Sequence, residues 1–381
     1  MTRPTPATLT ETLHRQISET GPIGVDDYMA ICLGDTAHGY YQSRDPLGMD
    51  GDFTTAPEVS GLFGEMCGLY LAHMYELAGM RDGAGVIEFG PGRGTLMRDM
   101  RHVWDRLMPS LNTAPLHLVE TSPALRHVQR ETLGANAVTA WHDDVEAALA
   151  AADGPLFGIA NEFFDALPAA QVIHERGVWH QRLVGLRDGE LGFVTGDAIE
   201  DDDPALPDDP DEGMVAELCP QATHIVTLLG QALARRGGAV LIVDYGRDGN
   251  PGDSLQAVAD HRPVDLFAAP GDSDISHWVD FAALETAAVR AGARLVGPVP
   301  QGRFLMRIGL AARAELAAQH AAPEARRALL AAIDRLTSPA QMGEVFKVAL
   351  LVPAGAGTPP GFETETGFKT ETGFETDGGA G

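Results

Sequence analysis

Val86-Ile87-Glu88-Phe89-Gly90-Pro91-Gly92-Arg93-Gly94-Thr95 is the stretch that decides the fold of this 381-residue chain. An apolar run ends in an acid, three glycines follow at alternate positions, and a helical pattern begins at Thr95. Glycines let a backbone turn sharply and approach a ligand with no Cβ in the way, and the helix start that follows offers free N–H groups. A dinucleotide turn wants G-x-G-x-x-G, but the position three after Gly92 is Thr95, so the spacing is G-x-G-x-G after an acidic strand. A purely structural turn is the alternative reading.

Working outward, short apolar runs alternate with helical segments. The runs are Val86 to Phe89, Leu116 to Glu120, Val138 to Trp141, Phe157 to Ala160, Ala239 to Tyr245, Arg294 to Val296 and Phe346 to Val352. Helices are predicted near Thr95 to Leu107, Pro123 to Leu133, Ala222 to Arg236, Phe281 to Ala291 and Pro323 to Leu336. This rhythm predicts an α/β fold with a doubly wound, seven-stranded, Rossmann-like sheet whose ligands bind outside the carboxyl ends of the strands. The G-x-G-x-G spacing is the one characteristic of S-adenosylmethionine (SAM) methyltransferases, and SAM is the expected cofactor.

Ahead of the sheet, Leu9 to Leu33 reads as helical, with a cap at Thr8 or Thr10 and a break at Thr20-Gly21-Pro22. Val59 to Ala78 carries Leu62, Phe63, Met66, Leu69, Tyr70, His73, Met74 and Leu77 at helical spacing. Residues 1–80 are therefore expected to form a helical cap region and residues 81–352 the sheet domain. A β insertion is placed at 171–217, where Gln171 to Thr195 alternates like an antiparallel meander. In the last part, 353–381, Gly-Phe recurs at Gly361, Gly367 and Gly373, a low-complexity tail expected to be disordered.

Candidate ligand residues sit at the strand ends. Glu120 closes the second run, where an acid accepts ribose hydroxyls; it also neighbours a helix start at Ser122-Pro123. Asp143 and Asp144 close the third, able to meet an adenine amino group or to lead into a helix at Val145. The fourth runs into Asn161-Glu162-Phe163-Phe164-Asp165, where a methyl donor would meet its acceptor. Glu162 and Asp165 suit a guanidinium held bidentately, or a loop fastened by its own side chains.

Composition narrows the partners. With 27 Lys+Arg against 54 Asp+Glu, the formal net charge is −27, unsuited to polyanion binding, so no nucleic acid is expected. Ten acids and no Lys or Arg lie between Asp197 and Glu217, a solvated face or a lure for a basic partner. Three separated cysteines suggest neither disulfides nor a metal site. G-x-S-x-G, H-E-x-x-H and Walker motifs do not occur, which leaves hydrolytic chemistry without support. No apolar run is long enough to span a membrane, and residues 1–16 have neither signal nor transit character, so a cytoplasmic protein is expected.

The residues resemble the MidA-like class I SAM methyltransferases from about Glu11 to Phe362. The resemblance is carried by Gly39-Tyr40-Tyr41, Gly51-Asp52-Phe53-Thr54-Thr55-Ala56-Pro57-Glu58-Val59-Ser60, Glu88 to Met97, Ala160 to Pro168, Asp244-Tyr245-Gly246, Val279-Asp280-Phe281 and Met342-Gly343. His277-Trp278 departs from the family's small residue followed by His. The resemblance implies SAM as methyl donor and a protein arginine as acceptor, symmetrically dimethylated in a subunit of NADH:ubiquinone oxidoreductase (complex I), with a role in assembling that complex. It places Glu162, Asp165 and Glu58 at the acceptor. With the glycine turn and strand ends it gives the cofactor set Glu88, Gly90, Gly92, Gly94, Thr95, Glu120, Asp143, Asp144 and Asn161, and it puts Thr54, Thr55 and Pro57 near the cofactor or the target arginine. Glu58 also reads as a first-turn acid and Ser60 as a helix cap. A small-molecule acceptor, or an assembly chaperone that keeps the fold without catalysis, are the rival readings.

Overall fold

The computed structural model describes residues 8–43, 55–80, 83–134, 136–200, 205–250, 252–319 and 321–363. Thr54, Asp201-Asp202-Asp203 of the acidic run, and the chain after Glu363 lie outside them.

Seven strands form the central sheet: β1 (Gly85–Phe89), β2 (Leu116–Val119), β3 (Ala140–His142), β4 (Leu156–Asn161), β5 (Gly238–Arg247), β6 (Ala293–Pro300) and β7 (Phe346–Pro353). Their order is β3-β2-β1-β4-β5-β7-β6. The first five run parallel, while β7 is antiparallel to both β5 and β6. A short strand, Val279–Asp280, also pairs with the end of β5. Every residue of β1, β2 and β4 is buried, as expected of parallel strands covered on both faces, and this is why they read as continuous apolar runs.

Apolar clusters fill both faces of the sheet. Leu118, Phe157, Leu241 and Leu350 face one side, with helices Gly61–Leu77 and Thr95–Leu107; Ile87, Val119, Ile242 and Leu351 face the other, with Pro220–Arg236 and Phe281–Arg290. The first two helices cross at Gly68, where a Cβ would lie 2.8 Å from Met100 Cα. Trp104 seals the crossing by donating its indole N–H to the Gly68 carbonyl at 2.7 Å. Helix Gly61–Leu77 is capped by Ser60, and it buries more than the one stripe its spacing predicted. Cys67, Leu71 and Tyr75 are also buried, whereas His73 and Leu77 are exposed.

The N-terminal helices Leu9–Thr20 and Val25–Gly34 pack away from the central sheet, on the insertion. Thr8 caps the first through a reciprocal pair of bonds with Glu11. Strand Ile23–Gly24 joins the insertion sheet of Ala170–Glu175, Val178–Arg187, Glu190–Ala198 and Val215–Leu218. A three-stranded sheet of Gln256–Ala259, Arg262–Val264 and Asp274–Ser276, which no sequence pattern announced, completes this lobe. One apolar cluster unites Leu13, Tyr28, Val184, Ala257 and Ile275. Glu217, counted in the acidic run, is a buried acid that accepts from Gln171 Nε2 at 2.7 Å and from the Ser254 and Leu255 amides.

Residues 353–363, the described part of the expected disordered tail, pack against the sheet domain. Phe362 is buried, its ring 5.3 Å from that of Phe304 and 6.4 Å from that of Tyr70, because an aromatic side chain at the end of a polar stretch still gains from burial. No described helix is long and apolar enough to cross a membrane.

Candidate active site

The chain winds in opposite directions from β1 and from β4, so their adjacent carboxyl ends form the switch point at which doubly wound sheets bind ligands. A cavity of about 530 Å³ opens there. It brings together Thr55, Pro57, Glu58, Glu88, Gly90, Gly92, Thr95, Glu120, Asp143, Asp144, Asn161, Glu162 and Asp165. Gly94 does not line it but sets the turn beneath.

The turn after β1 holds Gly90, Gly92 and Gly94 at φ of +59°, +52° and +79°, a region that side-chain-bearing residues avoid. At Gly90 a Cβ would stand 2.9 Å from Phe163 Cδ2. Gly94 caps helix Thr95–Leu107 without a side chain, and Thr95 Oγ1 donates to Glu58 Oε1 at 2.7 Å. Helix Ala56–Val59 is thereby docked on the glycine turn. At the end of β1, Glu88 is buried with Oε2 unbonded, and burial pushes its carboxyl well above the usual range.

At the β2 end, Glu120 accepts from the Ser122 amide at 2.8 Å and from Gln129 Nε2 at 3.1 Å. Those bonds use two of the roughly four lone-pair sites of a carboxylate and leave room for diol hydroxyls. Gln129 had no place among the expected residues, yet it also donates to the Gly92 carbonyl at 2.7 Å and accepts from Trp141 Nε1 at 2.8 Å. It ties the glycine turn to Glu120 and to β3. A buried glutamine facing inward beside Leu125 on an amphipathic helix was the available signal. Asp144 caps helix Val145–Ala151 through the Ala147 amide at 2.7 Å, while Asp143 pairs with Arg126 at 2.6 Å. Both face the cavity.

The β4 end carries the acids. Glu162 takes a positive φ of 51°, a strained conformation of the kind that gathers at functional sites. Its Oε1 accepts from the Ala56 amide at 3.0 Å and from Asn161 Nδ2 at 3.1 Å, while Oε2 is buried and unbonded. Asp165 Oδ1 and Asn161 Oδ1 are likewise buried without a bond. Burial raises Glu162 to about 7; burial first, then the charge of Glu162, raises Asp165 as well. Beneath them Asp244 of β5 accepts from the Phe163 and Phe164 amides at 3.2 and 2.9 Å, and from the Tyr245 amide at 3.0 Å. It fastens the loop, a role reserved above for side chains within it. His277 is buried between the Leu167 and Trp278 carbonyls, 3.0 and 3.1 Å from its ring nitrogens, and does not line the cavity.

Nine carboxylates line this cavity, with Arg93 as the one Lys or Arg among its lining residues. Its two ends differ. Around the glycine turn, unfilled backbone space and Glu120 suit a nucleoside; at Glu162 and Asp165, unbonded acceptors suit a cation rich in N–H groups. The cradle fits a SAM-sized ligand, since Gly90, Gly92, Glu88 and Asn161 present space and unpaired acceptors to it.

Comparison with known proteins agrees with that geometry. Residues 66–299 match a family model described as "Putative S-adenosyl-L-methionine-dependent methyltransferase". The chain is 34% identical to "Protein arginine methyltransferase NDUFAF7, mitochondrial" of Mus musculus, over 89% of this chain and 83% of the mouse protein. It is 33% identical to the Homo sapiens protein of that name, over 89% and 82%. A crystal structure of a Burkholderia thailandensis protein bound to S-adenosyl-homocysteine superposes with a TM-score of 0.80 at 29% identity, covering 95% of this chain and 98% of that one. The relatives' names place them in mitochondria, which overturns the expected cytoplasmic location. That expectation rested on the composition of residues 1–16, which speaks only to a leader and not to the compartment where the fold works.

Proposed function

The chain belongs to the S-adenosylmethionine-dependent methyltransferase family, and we propose that it methylates a guanidinium nitrogen of a protein arginine. The relatives' names supply the acceptor class. The observation that carries it in this chain is the unbonded pair at the β4 end, Glu162 Oε2 and Asp165 Oδ1. Two buried carboxylate oxygens without donors, one on each acid, destabilise a protein, and a guanidinium with five N–H donors in a fixed fork satisfies both. The complex I subunit implied by the sequence resemblance is the acceptor protein we assign.

SAM, when bound, would supply an electrophilic methyl carbon on a sulfonium whose sulfur can keep the C–S bonding pair. Glu88, Gly90, Gly92, Gly94, Glu120, Asp143, Asp144 and Asn161 hold the donor side, with Thr55, Pro57 and Thr95 closing it. Glu162 and Asp165 align the acceptor nitrogen and balance its charge, since a free guanidinium, with a pKa above about 12, is a poor nucleophile. The proton shed as the N–C bond forms goes to Glu162, whose raised affinity suits it to receive one. Glu58 bonds Thr95 and braces the cap helix rather than the acceptor.

Labelled methyl transfer from SAM into a lysate of cells lacking this gene tests the reading. A labelled protein band that disappears with Glu162→Gln is expected. Label confined to small molecules would overturn it.

A further inference from the structure

A third carboxylate faces the acceptor end from outside the central sheet. Asp274 opens strand Asp274–Ser276 of the small three-stranded sheet. Tyr41, on the short helix Tyr40–Ser43, donates its phenol to Asp274 Oδ1 at 2.8 Å, and both residues line the cavity with Glu162 and Asp165. The strand is anchored to the catalytic loop. The His277 amide donates to the Asp165 carbonyl at 3.0 Å, and the Tyr245 phenol bonds Ser276 Oγ. Asp274 is near enough for its charge to act on Glu162.

Neighbouring acids repel one another, and at Glu162 the charge of Asp274 outweighs that of Arg335, so their grouping costs stability unless a further cation joins them. Asp165 is 7% exposed and its Oδ1 has no bond, which marks the missing donor. Two acids on one loop can satisfy either an ammonium or a guanidinium. A third, carried on a separate element, matches the planar fork's extra donors and outruns the three of an ammonium.

We propose that Asp274, oriented by Tyr41, is the residue that makes this site select guanidinium over ammonium acceptors. The inference rests on the arginine reading above and deepens it. Asp274 touches the acceptor; Tyr41 is a positioning residue that acts through it.

Ethylguanidinium and propylammonium, two small probes of equal charge, separate the possibilities. Their binding is measured by ligand-observed NMR on the full chain saturated with S-adenosyl-homocysteine. The wild type should favour ethylguanidinium by roughly tenfold or more. Asp274→Asn should erase most of that ratio, and Tyr41→Phe should reduce it while keeping the charge. The affinity for S-adenosyl-homocysteine, which reports an intact fold, should not change in either variant. A ratio unmoved by Asp274→Asn, or no ethylguanidinium binding by the wild type, overturns the proposal. Selective ethylguanidinium binding by a protein that transfers no methyl to arginine would uphold the subsite and bring down the reaction proposed above.

Discussion

The Ala56 amide donates to Glu162 Oε1 at 3.0 Å across 106 residues of sequence, so the cap helix Ala56–Val59 and the loop after β4 are one unit. This bond, with that from Asn161, occupies one carboxylate oxygen and leaves the other buried and facing the cavity. Glu162 is held in a strained backbone conformation by contacts on both sides, which is how a reacting group keeps its geometry.

Glu162→Gln should lower kcat for an arginine peptide by about 10²-fold or more while changing S-adenosyl-homocysteine affinity little, because the amide accepts no proton and carries no charge. Steady-state kinetics alongside calorimetry checks this. Equal losses in both would move Glu162 to the cofactor.

The pH profile follows from the raised Glu162 carboxyl. Its ionised form receives the proton, so kcat/KM should climb as pH rises through about 7 and then level. Stability should run the other way. The folded carboxyl binds its proton more tightly than the unfolded one, at about 4.3, so the stabilisation is complete below that value and is lost as pH rises through about 7. Thermal melts at about pH 5 and about pH 8 should show the fall, and Glu162→Gln should shrink it to the part that buried Asp165 still contributes.

Gly90→Val should abolish binding of S-adenosyl-homocysteine. The site combines a φ of +59° with a Cβ position 2.9 Å from Phe163 Cδ2, and a branched side chain adds strain of roughly 1–3 kcal/mol while filling the cradle. Calorimetric titration reads it directly; retained affinity would refute the assignment of the turn.

Asp244→Asn should loosen the loop after β4. An amide replaces one acceptor oxygen with a donor that meets backbone N–H groups from Phe164 or Tyr245, at a cost of about 1–3 kcal/mol. A lower melting temperature with a larger loss in kcat than in cofactor affinity is expected.

What the sequence made legible was local. Helices Thr95–Leu107 and Pro123–Leu133 begin and end where they were expected, because Gly94 and Ser122-Pro123 are signals read within a few residues. The β1, β2 and β4 ends could be placed by their apolar runs, and so could the acids that follow them. The missing parts depend on distant partners. Tyr41 meets Asp274 across 233 residues, and Asp244 hooks the Phe164 amide across 80; no periodicity encodes such pairs. The short strands around Ala257 carry too few residues for an alternation to show. His73 and Leu77 fit the helical stripe in spacing, yet the helix ends beyond the sheet's cover and leaves Leu77 in solvent.

The most direct measurement is amino-acid analysis after acid hydrolysis of protein labelled by this enzyme with methyl-labelled SAM. The account predicts label in methylated arginine, symmetric dimethylarginine foremost, and its loss with Glu162→Gln. Label in lysine, in a small molecule, or in no protein at all would contradict it.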